Sequence, residues 1–223
     1  MGTITVAIDG PAGAGKSSVA KCIAKRLQYL YIDTGAMYRA FTWAVLQHHV
    51  DIHDEQAVRR LVETIDIQLV PEPNLCRVYV NGQEVTTEIR QSDVATHVSA
   101  VAALAVVREK LVQLQRKMAA QGNVILDGRD IGTVVLPKAT VKIFLTASVA
   151  SRAKRRFLEV QAHGEQETLA EIQANIAARD EMDSHRAIAP LKQAADAVLV
   201  DNSSLTLEET ADVIIDLIRS HVK

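Results

Sequence analysis

Gly10-Pro11-Ala12-Gly13-Ala14-Gly15-Lys16-Ser17 fits the pattern G-x-x-x-x-G-K-[ST], between an apolar β-branched run, Ile4 to Ile8, and a helix-like segment. From average composition the bare pattern arises by chance in roughly one chain in a hundred of this length, and the strand-before, helix-after context lowers that further. Glycines let the backbone turn its N–H groups inward, which makes an anion nest at the positive end of the following helix. Lys16 adds a charge that follows the β and γ phosphates as a transition state develops, and the Ser17 hydroxyl is placed to ligate Mg²⁺. The competing reading is a glycine-rich turn beside a surface lysine, and the spacing and context together argue against it. The segment, continued by Ser18, therefore predicts binding of a nucleoside triphosphate.

Working outward, short apolar runs recur at Leu30 to Ile32, Val124 to Leu126, Val141 to Leu145 and Ala197 to Val200. Helical periodicity accompanies most of them. Val19, Ala20, Ile23, Ala24 and Leu27 follow the first run; Val107, Leu111, Leu114 and Met118 precede the third. Leu207, Ala211, Ile214 and Ile218 follow the last. Strands alternating with helices predict an α/β fold, a P-loop core with a five-stranded parallel sheet flanked by helices.

Two stretches break this rhythm. After Asp33 come helix-like segments at Ala36 to His49 and Glu55 to Ile65, then Ile67 to Val70, Arg77 to Val80, the turn pair Asn81-Gly82, and a last β run from Glu84 to Ile89. Asn-Gly between alternating runs is the strongest short hairpin signal. Ser151 to Pro190 is rich in Arg, Glu, Asp and Gln, with little to bury beyond Leu169, Ile172 and Ile176, and it predicts a helical flap.

Bulk properties narrow the class. With 223 residues, 48% hydrophobic, the chain can build one well-buried core carrying small modules. A net charge of −2 argues against a nucleic-acid backbone as main partner. The longest apolar stretch, Val98 to Val107, is interrupted by Ser99 and falls short of the ~20 residues a membrane-spanning helix needs. Nothing in the first residues marks the chain for export, and Cys22 and Cys76 suggest neither a disulfide framework nor a zinc site. A cytoplasmic location is expected. The seven histidines show no metal-site spacing; His48-His49 read as a helix end, and Asn202-Ser203-Ser204 as a loop.

Arginine supplies the remaining signal. Arg39 follows the second strand, Arg129 the third, and Arg152, Arg155 and Arg156 open the flap, with Arg179 and Arg186 further along it. Planar guanidinium groups suit the task of holding two repelling phosphates in line. Arg152 and Arg156 stand at i, i+4, so a closing flap could bring them to a triphosphate; a solvated basic face is the plainer alternative. Arg179, Asp183 and Arg186 would share one helical face, able to bind a ribose and a phosphate, or else form exposed ion pairs. Asp127 and Asp33 both end predicted strands, where ligands collect in open α/β sheets; either could hold Mg²⁺ through water, and either could be a capping or loop carboxylate.

The combined motifs resemble the bacterial cytidylate kinases of the nucleoside monophosphate kinase superfamily. The likeness rests on Ile8-Asp9-Gly10-Pro11 through Ser17, Asp33-Thr34-Gly35-Ala36-Met37-Tyr38-Arg39, Asp127-Gly128-Arg129-Asp130-Ile131-Gly132-Thr133, Lys142 to Leu145, and Arg186 to Pro190. It implies MgATP-dependent phosphorylation of CMP and dCMP. It also implies a core at residues 1–33, 105–150 and 190–223, an acceptor domain at 34–104 with a β insert at about 65–90, and a lid at 151–189.

By the same resemblance Ser99, Arg108 and Asp130 read cytosine, and Arg39, Arg129 and Arg186 grip the acceptor phosphate beside Tyr38. Asp183 and Arg179 contact the sugar, and Thr34 and Gly128 complete the acceptor side. Thr34 stands where the family often has serine, and both keep the hydroxyl. Lys16, Arg129, Arg152 and Arg156 are the implied catalytic groups, and Arg155 joins residues 10–18 in the ATP site. Small-molecule nucleotides are the expected partners, with no nucleic acid and no membrane, and the chain is expected to act as a monomer.

A P-loop kinase of another small acceptor, a P-loop transferase acting on tRNA, and a non-catalytic nucleotide-binding module share parts of this pattern. Lys16→Ala separates the last from the rest: an enzyme loses turnover, measured as ADP release, whereas a binding module keeps its cellular role.

Overall fold

The computed structural model describes residues 3–72, 76–162 and 166–222; residues 73–75 of the expected insert and 163–165 of the expected lid lie outside them. Along the chain run β1 (Thr5–Asp9), α1 (Lys16–Leu27), β2 (Leu30–Asp33), α2 (Thr34–Gln47) and α3 (Glu55–Thr64). The insert strands β3 (Ile67–Pro71), β4 (Cys76–Val80) and β5 (Gln83–Glu84) follow, then α4 (Ser92–Ala102), α5 (Ala105–Ala119) and β6 (Val124–Gly128). The rest comprises β7 (Val141–Thr146), α6 (Val149–Ala162), α7 (Leu169–His185), β8 (Val198–Asp201) and α8 (Leu207–His221).

Five of these strands form a parallel sheet in the order β2-β6-β1-β7-β8, as the alternation of strand and helix predicts. All of β6 and nearly all of β1 are buried, the reason both read as unbroken apolar runs. Successive side chains of β1 serve opposite layers. Val6 and Ile8 join Val19, Ile23, Ile214 and Ile218 on one side, while Ala7 joins Phe41, Leu111 and Leu126 on the other. The second layer continues without a break into Val78 and Val80 of the insert, so the insert and the sheet share one core.

The strand ends set up the site. Register pairs Asp33 with Asp127 across β2 and β6, and Asp9 with Gly128 across β1 and β6, so carboxylates gather at the carboxyl edge of the sheet. The loop from β1 enters α1 directly above that edge. At Gly10, φ is 152°, and a Cβ there would lie 1.9 Å from the Leu145 carbonyl oxygen, so only glycine lets the loop leave the sheet at this point.

Several expectations are corrected. The run Glu84 to Ile89 is not one strand: β5 pairs only at Gln83–Glu84, and Glu88–Arg90 form a 3-10 turn. Val85 and Ile89 both turn into the core, and Thr86 uses its hydroxyl to accept from the Val78 N–H, which ends the ladder. The Asn81-Gly82 turn itself stands as predicted, with φ of 49° and 80° at its two central residues. Helix α2 starts at Thr34 rather than Ala36 because the Asp33 carboxylate caps it, accepting from the Ala36 N–H at 2.7 Å. In the flap, Ile172 and Ile176 pack with Ala153 and Val160, but Leu169 is exposed. Arg186 lies just beyond the last turn of α7 with extended backbone, so that helix does not carry all of Arg179, Asp183 and Arg186.

Phe41 links α2 to the layer shared by sheet and insert and is 1% exposed. Phe41→Ala is expected to cost about 3–5 kcal/mol of stability, measured by urea unfolding.

Candidate active site

One cavity of about 620 Å³ opens at the carboxyl edge of the sheet, within the size range of small-molecule sites. Its floor is the loop from β1 to α1. Lys16 is buried at the first position of α1, and its ammonium donates to the Pro11 carbonyl at 2.7 Å. Burial and the nearby Arg129 hold its pKa well below the ordinary lysine range, with Asp127 and Asp9 opposing that shift. Beside it Ser17 Oγ donates to Asp127 Oδ2 at 2.7 Å, and the Tyr31 hydroxyl donates to Oδ1 at 2.8 Å. Burial, then the charge of Asp33, raise the Asp127 carboxyl above the usual range. Asp33 caps α2, as one of its two readings expects, and also faces the cavity with a 3.1 Å ion pair to Arg39.

A brace of side chains holds this floor from behind. Arg152, 4% exposed, donates to the carbonyls of Ala12 and Ala147 and pairs with Asp180 at 2.6 Å. Asn202 donates to the Ala14 carbonyl at 3.0 Å and accepts from Arg155, which also donates to the Asn202 carbonyl at 2.6 Å. Arg155 thereby reaches the cavity rim, 3.9 Å from where a Cβ on Gly15 would sit.

The opposite wall is cationic. Arg39, Arg129, Arg179 and Arg186 all line it, with Tyr38 and Thr34 between them. Arg129 Nε donates to Asp183 at 2.8 Å, and Thr34 donates its hydroxyl to the Asp127 carbonyl. Among the described residues Tyr38 Oη, Arg39 Nε, Arg179 Nε and Arg186 Nη2 are buried without a hydrogen-bond partner. Burial pushes the Tyr38 phenol up to about 12, so it is a neutral donor near pH 7. Desolvation lowers Arg179 and Arg186 from the usual guanidinium value, Arg129 reinforcing the first and Asp130 opposing the second.

At the deep end Asp130 and Arg108 form a buried ion pair. Arg186 Nη2 stands 3.6 Å from the other Asp130 oxygen, beyond hydrogen-bond reach. Ser99, from α4, lines the same end, and the Arg108 guanidinium lies 5.7 Å from the centre of the Tyr38 ring.

Most residues singled out in the sequence therefore meet in one cavity. Gly10, Pro11 and Ala14 do not line it; they shape the loop through a close approach and two carbonyl contacts. Arg152 is also off the lining, acting on the loop backbone. Arg156 is exposed and paired with Glu159 at 3.3 Å; it shares a helix face with Arg152 but stands one turn further along α6.

Reasoning on sequence overlooked Tyr31, Asp9 and the rim formed by Asn202, Leu205, Thr206, Leu207 and Thr210. Asn202 was legible in principle, since it follows the carboxyl end of a strand as Asp33 and Asp127 do. Leu207, assigned to the apolar stripe of α8, is instead exposed on that rim.

A strand, phosphate loop and helix facing a buried arginine wall make a P-loop nucleotide site, and the chain's relatives make the protein a phosphotransferase of the nucleoside monophosphate kinase class. The cytidylate kinase family model matches residues 6–220, and the chain belongs to that family. Cytidylate kinases of Lactobacillus gasseri and Halalkalibacterium halodurans are 54% and 48% identical to it. The first match covers 98% of this chain and 95% of the relative; the second covers 100% of both. The cytidylate kinase of Enterococcus faecalis is 51% identical, over 98% of this chain and 97% of its own. An uncharacterized protein from Eubacterium ventriosum shares the fold at a TM-score of 0.53 and 13% identity, covering 98% of this chain and 99% of that one. A Thermus thermophilus protein does so at 0.51 and 14%, over 100% of both. Among the described residues no helix is long and apolar enough to cross a membrane.

Asn202→Ala removes the side-chain bonds to the Ala14 carbonyl and Arg155. Leaving those groups unpaired is expected to lower stability by about 1–3 kcal/mol and raise the KM for ATP, measured by thermal unfolding and steady-state kinetics.

Proposed function

We propose that the two walls of the cavity are the donor and acceptor halves of one reaction. In it the γ-phosphoryl group of ATP passes to CMP or dCMP, giving ADP and CDP or dCDP. The reaction is that of the cytidylate kinase family. Support for the assignment of roles comes from one observation above all: four buried, unpartnered donors, on Tyr38, Arg39, Arg179 and Arg186, face a phosphate loop across one cavity. Unpaired buried donors are costly, and an anionic ligand bearing several acceptor oxygens satisfies them.

In this reading residues 10–18 and Arg155 cradle the triphosphate, while Arg39, Arg129 and Arg186 hold the acceptor phosphate beside Tyr38. Asp183 and Arg179 take the sugar, with Thr34 and Gly128 flooring that side. Cytosine offers an amino donor next to ring-nitrogen and carbonyl acceptors. Asp130 faces the amino group, and Arg108 and Ser99 face the acceptors. Uracil would present a carbonyl to Asp130, and discrimination follows from that mismatch.

Transfer is direct and in line, with no protein nucleophile. Lys16 leaves the Pro11 carbonyl for the β and γ phosphates, and the arginine wall aligns the acceptor oxygen and offsets the repulsion between the two ligands. Arg152 acts by holding the loop, and Arg156 reaches the phosphates only after the 151–189 lid moves.

Ser17 with Asp127, and Asp33 beside them, would hold Mg²⁺. A hydroxyl and two neighbouring carboxylates, one of them raised in pKa by burial and then by the charge of the other, suit a hard divalent cation. When bound, the ion would supply charge neutralisation at the bridging phosphate oxygens. We place the protein in the cytoplasm as a monomer; light scattering at the mass of one chain checks the latter.

ADP formation measured with each nucleoside monophosphate in turn is expected to be fastest with CMP and dCMP; equal rates with AMP or UMP would remove the substrate assignment. Asp130→Ala is expected to lower the CMP-over-UMP ratio of kcat/KM about 10- to 100-fold, the loss of one charged hydrogen bond, with the KM for ATP little changed.

A further inference from the structure

The segment after β6 makes a π-helical turn at Ile131–Val135, and Asp130 stands at its N-terminal boundary. The first N–H groups of any helical turn lack partners within it, and an aspartate at the boundary ordinarily supplies its own carboxylate. Here Asp130 does not: its side chain makes no capping bond and instead meets Arg108 and faces Arg186. The free N–H groups are satisfied from another strand. Asp9, at the end of β1, accepts from the Ile131 N–H through Oδ1 and from the Gly132 N–H through Oδ2, each at 2.7 Å.

We infer that Asp9 is a specificity-positioning residue: by capping this turn from β1 it leaves the Asp130 carboxylate free to read the base. The inference rests on the assignment of Asp130 to cytosine made above. Its physical content is a competition between two carboxylates for the Gly132 amide, the second of the turn and the one of the pair within reach of a capping side chain at Asp130. With Asp9 in place, Asp130 has no use for that amide and its charge stays on Arg108. Without it, the boundary aspartate gains a cap by swinging inward and abandons the cavity.

Three observations fit this division of labour. Asp9 is 4% exposed and is placed in the mechanism by nothing else. Its carboxyl is pushed up to about 6, chiefly by burial, while the two amides pull it down, so it is a buried carboxylate near pH 7 held in place by those bonds. The approach is also tight at the receiving end: a Cβ on Gly132 would sit 3.3 Å from Asp9 Oδ2 and 3.2 Å from Lys142 Cδ.

Asp9→Asn keeps the shape but can accept only one of the two N–H groups. Its CMP-over-UMP ratio of kcat/KM is expected to fall by about tenfold or more, the loss of one hydrogen bond to a charged group, with a raised KM for CMP and a KM for ATP little changed. Gly132→Ala presses on the same contact from the other side without touching the phosphate loop, and it decides the matter should Asp9→Asn fail to fold; the ratio should fall here too.

Each substitution is then repeated in an Asp130→Ala background, where neither should lower the ratio further, because both act through Asp130. An unchanged ratio in either folded single variant overturns the inference. So does an undiminished effect in the Asp130→Ala background, or a loss shared equally by CMP and ATP. If Asp130→Ala alone leaves the ratio unchanged, the base-reading assignment fails and the inference falls with it, a result distinct from the others.

Discussion

Four aspartates are buried close together at the carboxyl edge of the sheet, and the compensation of their charge organises everything around them. Asp9, Asp33, Asp127 and Asp130 are each 4% to 7% exposed. Carboxylates taken out of water must be paired or hydrogen-bonded or else lose their charge. Each finds a different partner type: backbone amides for Asp9, a helix N-terminus and Arg39 for Asp33, hydroxyls for Asp127, arginine for Asp130. Apart from those of Asp33, which are local, these partners come from distant parts of the chain, so compensating the aspartates also fixes the relative positions of β1, β2, β6, α1 and α5.

The sheet was legible because its strands are short, apolar and separated by amphipathic helices, a pattern that periodicity captures. The insert was legible at its turn and not beyond it. Asn81-Gly82 specifies a hairpin locally, whereas the end of β5 depends on Val85 and Ile89 turning toward a core contributed by other elements. The same limit applies to Leu169 and Leu207, whose apolar character suggested burial that the finished packing leaves no room for.

The site divides along a similar line. Lys16 is visible because the spacing of its motif carries its chemistry, Asp33 and Asp127 because they end strands, and Asp130 only through the family resemblance. Asp9 lies inside a recognised stretch, yet its task depends on a partner 122 residues away along the chain. Asn202 has no motif at all; its importance comes from three polar contacts that exist only once β8 lies beside β7. Arg152 and Arg156 share a face of α6 through their spacing of four, yet one reaches the loop and the other, a turn further along, is exposed, a difference that spacing cannot encode without knowing how much of the helix is covered.

The unpaired donors on the acceptor wall run against the rule that buried polar groups find partners. A cavity whose guanidinium groups were all mutually paired with carboxylates would be more stable and would have to break those pairs to accept a phosphate. Here the division is uneven: Arg108 and Arg129 are tied to Asp130 and Asp183, while Arg179 and one arm each of Arg39 and Arg186 are left open. The tied arginines fix the positions of the two carboxylates. The open ones retain their attraction for an anion that arrives later. Burial, and after it the charges of Arg129 and Arg39, lower the pKa of Arg179, and an anion entering the wall would offset that repulsion. Stability given up in the free protein thus reappears as affinity for the phosphate-bearing ligand.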